Sequence, residues 1–158
     1  MKIPDNLPLE KAGPILCAGV TMYDPLRHWG ATKMDKKMTI GIIGVGGLGT
    51  MGIKLANAMG HRVIAISSSA NKEALSKEKG AETFILSTNE ESMKSAANSC
   101  DLILNTIPAH HEMSHYLSLL SLSGTLVQLG VIGNEHKVNQ LPLIFGRKGI
   151  AGSLIGGI

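Results

Sequence analysis

Residues 38–49, MTIGIIGVGGLG, leave little room for any fold but one: an apolar run that ends in closely spaced glycines. Residues 38–43 are short and rich in isoleucine, the mark of a strand buried on both faces, as in parallel sheets covered by helices on each side. Gly44, Gly46 and Gly49 then spell G-x-G-x-x-G, with Gly47 and Leu48 inside the turn. In that pattern one glycine serves the tight turn, one lets the backbone approach a pyrophosphate, and one permits close helix–strand packing. The anion would rest on a helix N-terminus, where the first N–H groups lack intrahelical partners and the dipole favours negative charge. The competing reading is a tight strand-to-helix turn that binds nothing, and with 19 glycines in the chain the pattern alone decides little.

The residues after the turn decide more. Over residues 50–59, Met51, Leu55, Ala58 and Met59 share one helical face, and Gly60 stands where a helix would stop. Residues 62–66 read as a second strand, completing strand, glycine turn, helix and strand within a unit of roughly 30 residues. Further along, strands are expected at 83–86, 101–106, 125–129 and 149–155. Helices are expected at 70–79, 88–99 (Thr88 or Asn89 as cap) and 113–122. Upstream, residues 1–9 carry Pro4 and Pro8 and read as an extended lead-in, and residues 9–29 read as two short helices broken by Pro14 and Pro25. Residues 30–37 are a polar loop. Alternating strands and helices imply an α/β doubly wound parallel sheet of six strands, a Rossmann fold with order 3-2-1-4-5-6.

Composition narrows the partners. A chain of 158 residues, 44% hydrophobic, is one domain's worth and can bury a real core. Its 15 basic and 12 acidic residues form no basic stripe, and few aromatic residues are available to stack on bases, so nucleic-acid binding is disfavoured. No apolar run approaches a membrane span. Cys17 and Cys100 cannot make a disulfide framework, and the N-terminus lacks the apolar core of a signal peptide, which makes the cytoplasm the expected location.

The exit of the second strand chooses the cofactor. An NAD site places a carboxylate about 20 residues beyond the glycine turn, on the adenosine ribose 2′-hydroxyl. Here Ser67, Ser68 and Ser69 hold that place, and no carboxylate occurs between Thr39 and Lys72. Three hydroxyls, a helix N-terminus and the Lys72 cation suit a 2′-phosphate, which favours NADP. The plainer alternative makes the serines an N-cap cluster and Lys72 a solvated surface charge.

With these segments in hand, the sequence resembles the cinnamyl alcohol dehydrogenase branch of the medium-chain zinc alcohol dehydrogenases. The likeness is carried by PILCAGVTMYDPLRHWG (14–30), GIIGVGGLGTMGIKLANAMG (41–60), NTIPA (105–109), GTLVQLGV (124–131) and IAGSLIGGI (150–158). The resemblance implies that Cys17 matches the third ligand of the catalytic zinc and that Thr21 lies near the cofactor. It implies that Ser67, Ser68, Ser69 and Lys72 match the 2′-phosphate site. Thr106, Ile107, Val131, Ser153 and Ile155 match positions lining the dinucleotide towards the nicotinamide. Residues 1–30 are then a lead-in from a catalytic domain, and residues 31–158 the NADP-binding domain. The family's other zinc ligands, a cysteine and a His-Glu pair, and its four-cysteine structural zinc site have no match here. The expectation is therefore the cofactor-binding domain of an NADP-dependent alcohol dehydrogenase, excised or naturally truncated, with no catalytic residue and no zinc of its own. The parent would act on a small alcohol or aldehyde, and the apolar edge strand at 149–155 would pair two copies into a homodimer.

Three further readings compete. His111-Glu112-Met113-Ser114-His115 matches H-E-x-x-H, the helical zinc-protease motif, but no third histidine ligand follows, and Glu135 falls in an expected loop, so the match reads as coincidence. A non-catalytic NADPH-binding module or scaffold would share the cofactor residues. A zinc-free reductase would too, though Cys17 in its CAG context argues against it. His28, His61 and His136 stand alone and read as surface or hydrogen-bonded core residues. Cys100 reads as plain core.

Overall fold

In a computed structural model, which describes residues 3–33, 36–131, 133 and 137–156, six parallel strands form one sheet in the order β3-β2-β1-β4-β5-β6. The strands are β1 (Thr39–Ile43), β2 (Arg62–Ser67), β3 (Thr83–Leu86), β4 (Cys100–Asn105), β5 (Leu120–Gln128) and β6 (Gly149–Gly152). The expected strand order is present, with its reversal falling between β1 and β4.

Strand alternation divides the core in two. On one face Ile40 and Ile42 of β1, Val63 and Ala65 of β2, and Leu102 and Leu104 of β4 pack together. On the other, Ile43, Ile64, Ile66 and Ile103 pack against Tyr116, Leu117 and Leu126. Central strands buried on both faces explain why the sequence shows continuous apolar runs there. The edge strand β6 is only half-buried.

Helices cover both faces. They are α1 (Leu9–Pro14), α2 (Val20–His28), α3 (Gly47–Ala58), α4 (Glu73–Glu78), α5 (Glu90–Ser95), α6 (Met113–Leu117) and α7 (Leu141–Gly146). Among the described residues no helix is long and apolar enough to cross a membrane.

Several boundaries differ from the sequence reading, each for a physical reason. The break in the first helical stretch is a π-turn at Ile15–Gly19, and Pro25 lies inside α2. Pro25 removes one helical bond, but it is buried beside Met22 and Leu26, whose burial offsets that loss. The helix expected at 70–79 opens with a 3₁₀ turn, Ala70–Lys72. The helix expected at 88–99 stops at Ser95, with Asn89 as its cap, its Oδ1 accepting from the Ser92 N–H at 3.0 Å. The helix expected at 113–122 ends at Leu117, because Leu119 and Leu120 are drawn under the sheet and β5 already starts at Leu120. A register shift between Cys100 and Leu102 then accommodates Ser123, which has positive φ. Helix α7 was not expected. Its Pro142 sits in the first turn, where a missing N–H costs nothing. Finally, β6 ends at Gly152, so Ser153 and Ile155 lie beyond the strand.

Helix α2 and the segment after it are tied into this core. Met22 and Leu26 are fully buried, and the Met22 methyl lies against Gly52 of α3, where any side chain would collide with it. His61 adds a polar clip: its Nδ1 accepts from the Met38 N–H at 3.2 Å and its Nε2–H donates to the Ala31 carbonyl at 2.6 Å. Met22→Ala leaves a cavity between α2 and α3 and is expected to destabilise the protein by about 2–5 kcal/mol, read from the urea midpoint at constant m. A loss below about 0.5 kcal/mol would mean that α2 does not share the core.

Candidate functional site

The candidate site lies where the strands run out. In doubly wound sheets ligands bind beyond the carboxyl ends of the strands at the point where strand order reverses, here between β1 and β4. The glycine turn enters it from β1. Gly44 has φ +88°, a left-handed conformation that side chains rarely adopt, and its N–H donates to the Ile66 carbonyl at 2.9 Å. A Cβ on Gly49 would run into the Gly44 carbonyl, so the first turn of α3 packs directly on the strand exit.

Gly46 is different. Its backbone is extended, φ −98° and ψ −156°, and no atom stands within 4 Å of the place a Cβ would take. Neither backbone strain nor crowding requires glycine at Gly46, and Gly47 likewise faces open space. Unfilled room in front of a helix N-terminus, at the glycine assigned to close approach, fits a pyrophosphate resting there.

Beside it, β2 ends in Ser67, adjacent to the turn through the Ile43–Ile66 pairing. Ser67 is nearly buried, and its Oγ accepts from the Ser69 N–H at 3.2 Å. No serine side chain caps either the 3₁₀ turn or α4. Among the described residues the Ser68 and Ser69 hydroxyls make no hydrogen bond, and the Lys72 ammonium enters no ion pair. The neighbouring carboxylate, Glu73, is held by Lys77 at 2.7 Å. The capping alternative is therefore not what these side chains do, while the residues fit a phosphate bearing two negative charges.

The β4 exit adjoins the glycine turn. The Thr106 hydroxyl donates to the carbonyls of Ile43 (2.8 Å) and Gly44 (3.2 Å), and the Ile107 side chain packs over Gly44. Thr106 thus ties two strand exits together. Val131 follows β5 and is 75% exposed. Ser153 and Ile155 follow β6, and the Ser153 hydroxyl donates to Asp24 of α2 at 3.2 Å. Thr21 is buried, with its hydroxyl donating to the Cys17 carbonyl at 2.7 Å. The residues named from the sequence therefore string along one edge of the sheet, from Ser67 through the glycine turn and Thr106 to Ser153, with Thr21 on α2 beside the far end.

Three residues of this edge escaped the sequence reading: Asn105, Gln128 and Gly130, which join in one hydrogen-bonded chain with His111, itself expected at the exit of the fourth strand beside the cofactor. Asn105 is fully buried; its Nδ2 donates to Gln128 Oε1 (2.7 Å) and His111 Nε2 (2.9 Å), and its Oδ1 accepts from the Ile107 N–H (3.3 Å). Gly130 lets β5's exit approach so closely that any side chain would strike the Ile107 carbonyl. The visible signal was an amide ending the apolar run DLILNT.

Metal chemistry finds no holder among the described residues. Cys17 is exposed in the π-turn, and among the described residues no three His, Cys, Asp or Glu side chains gather to hold a metal. The chain's own described residues do not fit a catalytic zinc. The H-E-x-x-H match dissolves structurally as well: His111 lies outside α6 with both ring nitrogens hydrogen-bonded, and Glu112 caps that five-residue helix through the Ser114 N–H at 3.2 Å. Glu135 and His136 lie outside the described residues.

Comparison with known proteins agrees with this geometry. Residues 47–158 match the family described as zinc-binding dehydrogenase. A probable cinnamyl alcohol dehydrogenase of Zea mays is 47% identical over the whole of this chain, which spans 43% of that protein. Among solved structures, a cinnamyl alcohol dehydrogenase of Sorghum bicolor superposes with a TM-score of 0.92 at 38% identity, over 99% of this chain and 44% of that one. A protein named CAD from Helicobacter pylori, complexed with NADP(H), superposes at 0.83 with 34% identity and the same coverages. The chain thus spans a little under half the length of the relatives it matches.

The two thiols are distinguishable. Burial pushes the Cys100 thiol up to about 11, whereas Cys17 is exposed. At about pH 8 a thiol-reactive chromophore is expected to label Cys17 rapidly and Cys100 only after denaturation, because only the thiolate attacks. Fast labelling of both in the native protein would contradict the packing around β4.

Proposed function

This chain belongs to the zinc-binding dehydrogenase family, and from that membership we propose that it is the cofactor-binding half of an NADP-dependent alcohol dehydrogenase of the cinnamyl type. The observation that carries the cofactor choice is the β2 exit: hydroxyls of Ser68 and Ser69 without partners among the described residues, the Lys72 cation, and no carboxylate from Thr39 to Lys72. A 2′-phosphate there receives charge-assisted hydrogen bonds, whereas the 2′-hydroxyl of NAD would find no acceptor carboxylate. Gly44, Gly46, Gly47, Leu48 and Gly49 hold the pyrophosphate, and Thr106, Ile107, Val131, Ser153, Ile155 and Thr21 border the nicotinamide end. Residues 1–30 lead in from the catalytic half, and residues 31–158 form the NADP-binding domain.

The bound nicotinamide would supply hydride exchange with a small alcohol or aldehyde. This chain's part is to bind and orient the cofactor. The NADP(H) complex of the Helicobacter relative supports the cofactor, and the names of the plant relatives support the substrate class. A catalytic zinc would need ligands beyond Cys17. Two unbridged thiols suit a reducing compartment, and the cytoplasm is the proposed location. We also propose a homodimer built through β6, whose outer edge has no partner strand among the described residues and is flanked by Leu154 (73% exposed) and by Phe145 of α7 (80% exposed).

Side-by-side titration with NADPH and NADH tests the cofactor reading. NADPH is expected to bind more tightly, and Lys72→Ala to reduce that preference by about tenfold or more, the worth of one charge-assisted hydrogen bond. Gly46→Val is expected to abolish binding of both without lowering the melting temperature, since its side chain fills the room left for the ligand. Equal affinities for the two cofactors would refute the 2′-phosphate pocket. For the dimer, Leu154→Asp is expected to shift sedimentation from dimer to monomer; a wild-type chain that sediments as a monomer would refute it.

A further inference from the structure

A chain of hydrogen bonds joins the exits of β4 and β5. It starts at the Gly130 carbonyl, which accepts from Gln128 Nε2 at 2.6 Å. That contact orients the Gln128 amide and turns its Oε1 to Asn105, so Asn105 presents Nδ2 on this side. The same Nδ2 donates its other hydrogen to His111 Nε2. With Nε2 an acceptor, the imidazole proton sits on Nδ1, where it is donated to the Ala109 carbonyl at 2.7 Å. Each of these groups is oriented by its neighbour, and the chain reaches a backbone carbonyl at Gly130 and at Ala109.

We infer that Asn105 is a positioning residue for the dinucleotide, holding His111 as its Nδ1–H tautomer and thereby clamping the β4 and β5 exit loops at the spacing the cofactor needs. The inference rests on the dinucleotide reading above. Asn105 suits the task because an amide has two hydrogens to give and an oxygen to accept, and its Oδ1 pins the Ile107 N–H. Ile107 in turn covers Gly44 of the glycine turn and meets Gly130 through its carbonyl. A shift of Asn105 is therefore passed to both loops. A carboxylate could keep the Ile107 contact, but it would face Gln128 Oε1 without a hydrogen and would demand an N–H at His111 Nε2. That requirement is met either by the inverted tautomer, which gives up the Ala109 contact, or by the imidazolium, which donates from both nitrogens; both replace the neutral Nδ1–H form.

The protein carries its own reference, since His61 accepts at Nδ1 and donates from Nε2, the opposite tautomer. Nitrogen NMR of the histidine-labelled full chain, assigned with His111→Gln, is expected to show His111 as Nδ1–H and His61 as Nε2–H at neutral pH. In Asn105→Asp, His111 is expected to gain an Nε2–H, as the inverted tautomer or as the imidazolium, and NADPH affinity to fall by about tenfold. Gln128→Leu removes the Gly130 anchor without adding charge; a mixture of His111 tautomers and a similar loss of affinity are expected, with an unchanged near-ultraviolet spectrum showing that the fold persists. His111 found as Nε2–H in the wild type, or wild-type NADPH affinity in both variants, overturns the positioning role alone. Failure of the wild-type chain to bind either cofactor overturns the dinucleotide reading and the positioning role with it.

Discussion

The close approach of α3 to the end of β1 is the contact on which the sheet's whole carboxyl edge depends. Because Gly49 has no side chain, the first turn of the helix sits against the Gly44 carbonyl, and this sets the helix axis over the strand. From β4, the Thr106 hydroxyl bonds that carbonyl and its neighbour on Ile43, and Ile107 lies across Gly44. Gly130 repeats the device one strand further on, against Ile107. Three exits are thus drawn together by absent side chains and one hydroxyl, in a region where apolar packing alone would not fix their spacing so closely.

Within that edge, two kinds of glycine can be told apart. Gly44, Gly49 and Gly130 are demanded by the protein itself, through a positive φ or a collision with backbone. Gly46 and Gly47 meet no such demand. Glycine costs backbone entropy wherever it sits, on the order of 0.5–1 kcal/mol against alanine in a helix, so its use where the fold would admit a side chain points outward, to something that must come close. The split falls between the residues that shape the cleft and those that face its opening.

Most of the fold was legible in the sequence because its signals were local and redundant. Short apolar runs, punctuated by glycines and prolines, gave the sheet and its order, since right-handed crossovers leave few windings for such an alternation. Boundaries were less legible wherever tertiary contact overrode propensity. Residues 113–122 carry a helical pattern, yet the pull of Leu119 and Leu120 into the core turns the last part into strand. Pro25 looks like a helix end but is itself packed in the core. Helix α7 hid in a segment with no amphipathic period because its apolar residues Leu141, Ile144 and Phe145 face outward. At the candidate site the glycines and serines were readable as a spacing, while the link of Asn105 to Gln128 and His111 was not. Asn105 and Gln128, 23 positions apart, meet only after β4 and β5 pair, and the six-residue reach from Asn105 to His111 depends on the fold of the loop between them, so no pattern in a single sequence encodes the network.

The two halves of the cleft are held by different physics, and this bears on what the chain contributes to chemistry. The phosphate end is made of backbone N–H groups, hydroxyls and one cation, which gain strength only when an anion arrives. The far end is a part-buried network centred on the fully buried Asn105 and already bonded without ligand, and leaving the Asn105 amide unpaired would cost free energy. In the proposed reading the first half would supply affinity and the choice between cofactors, and the second a fixed floor against which a nicotinamide would be oriented. Such a division suits a domain whose task is placement. Orientation must be settled before the reacting groups meet, and a network ordered in advance leaves less to be fixed at the moment of reaction.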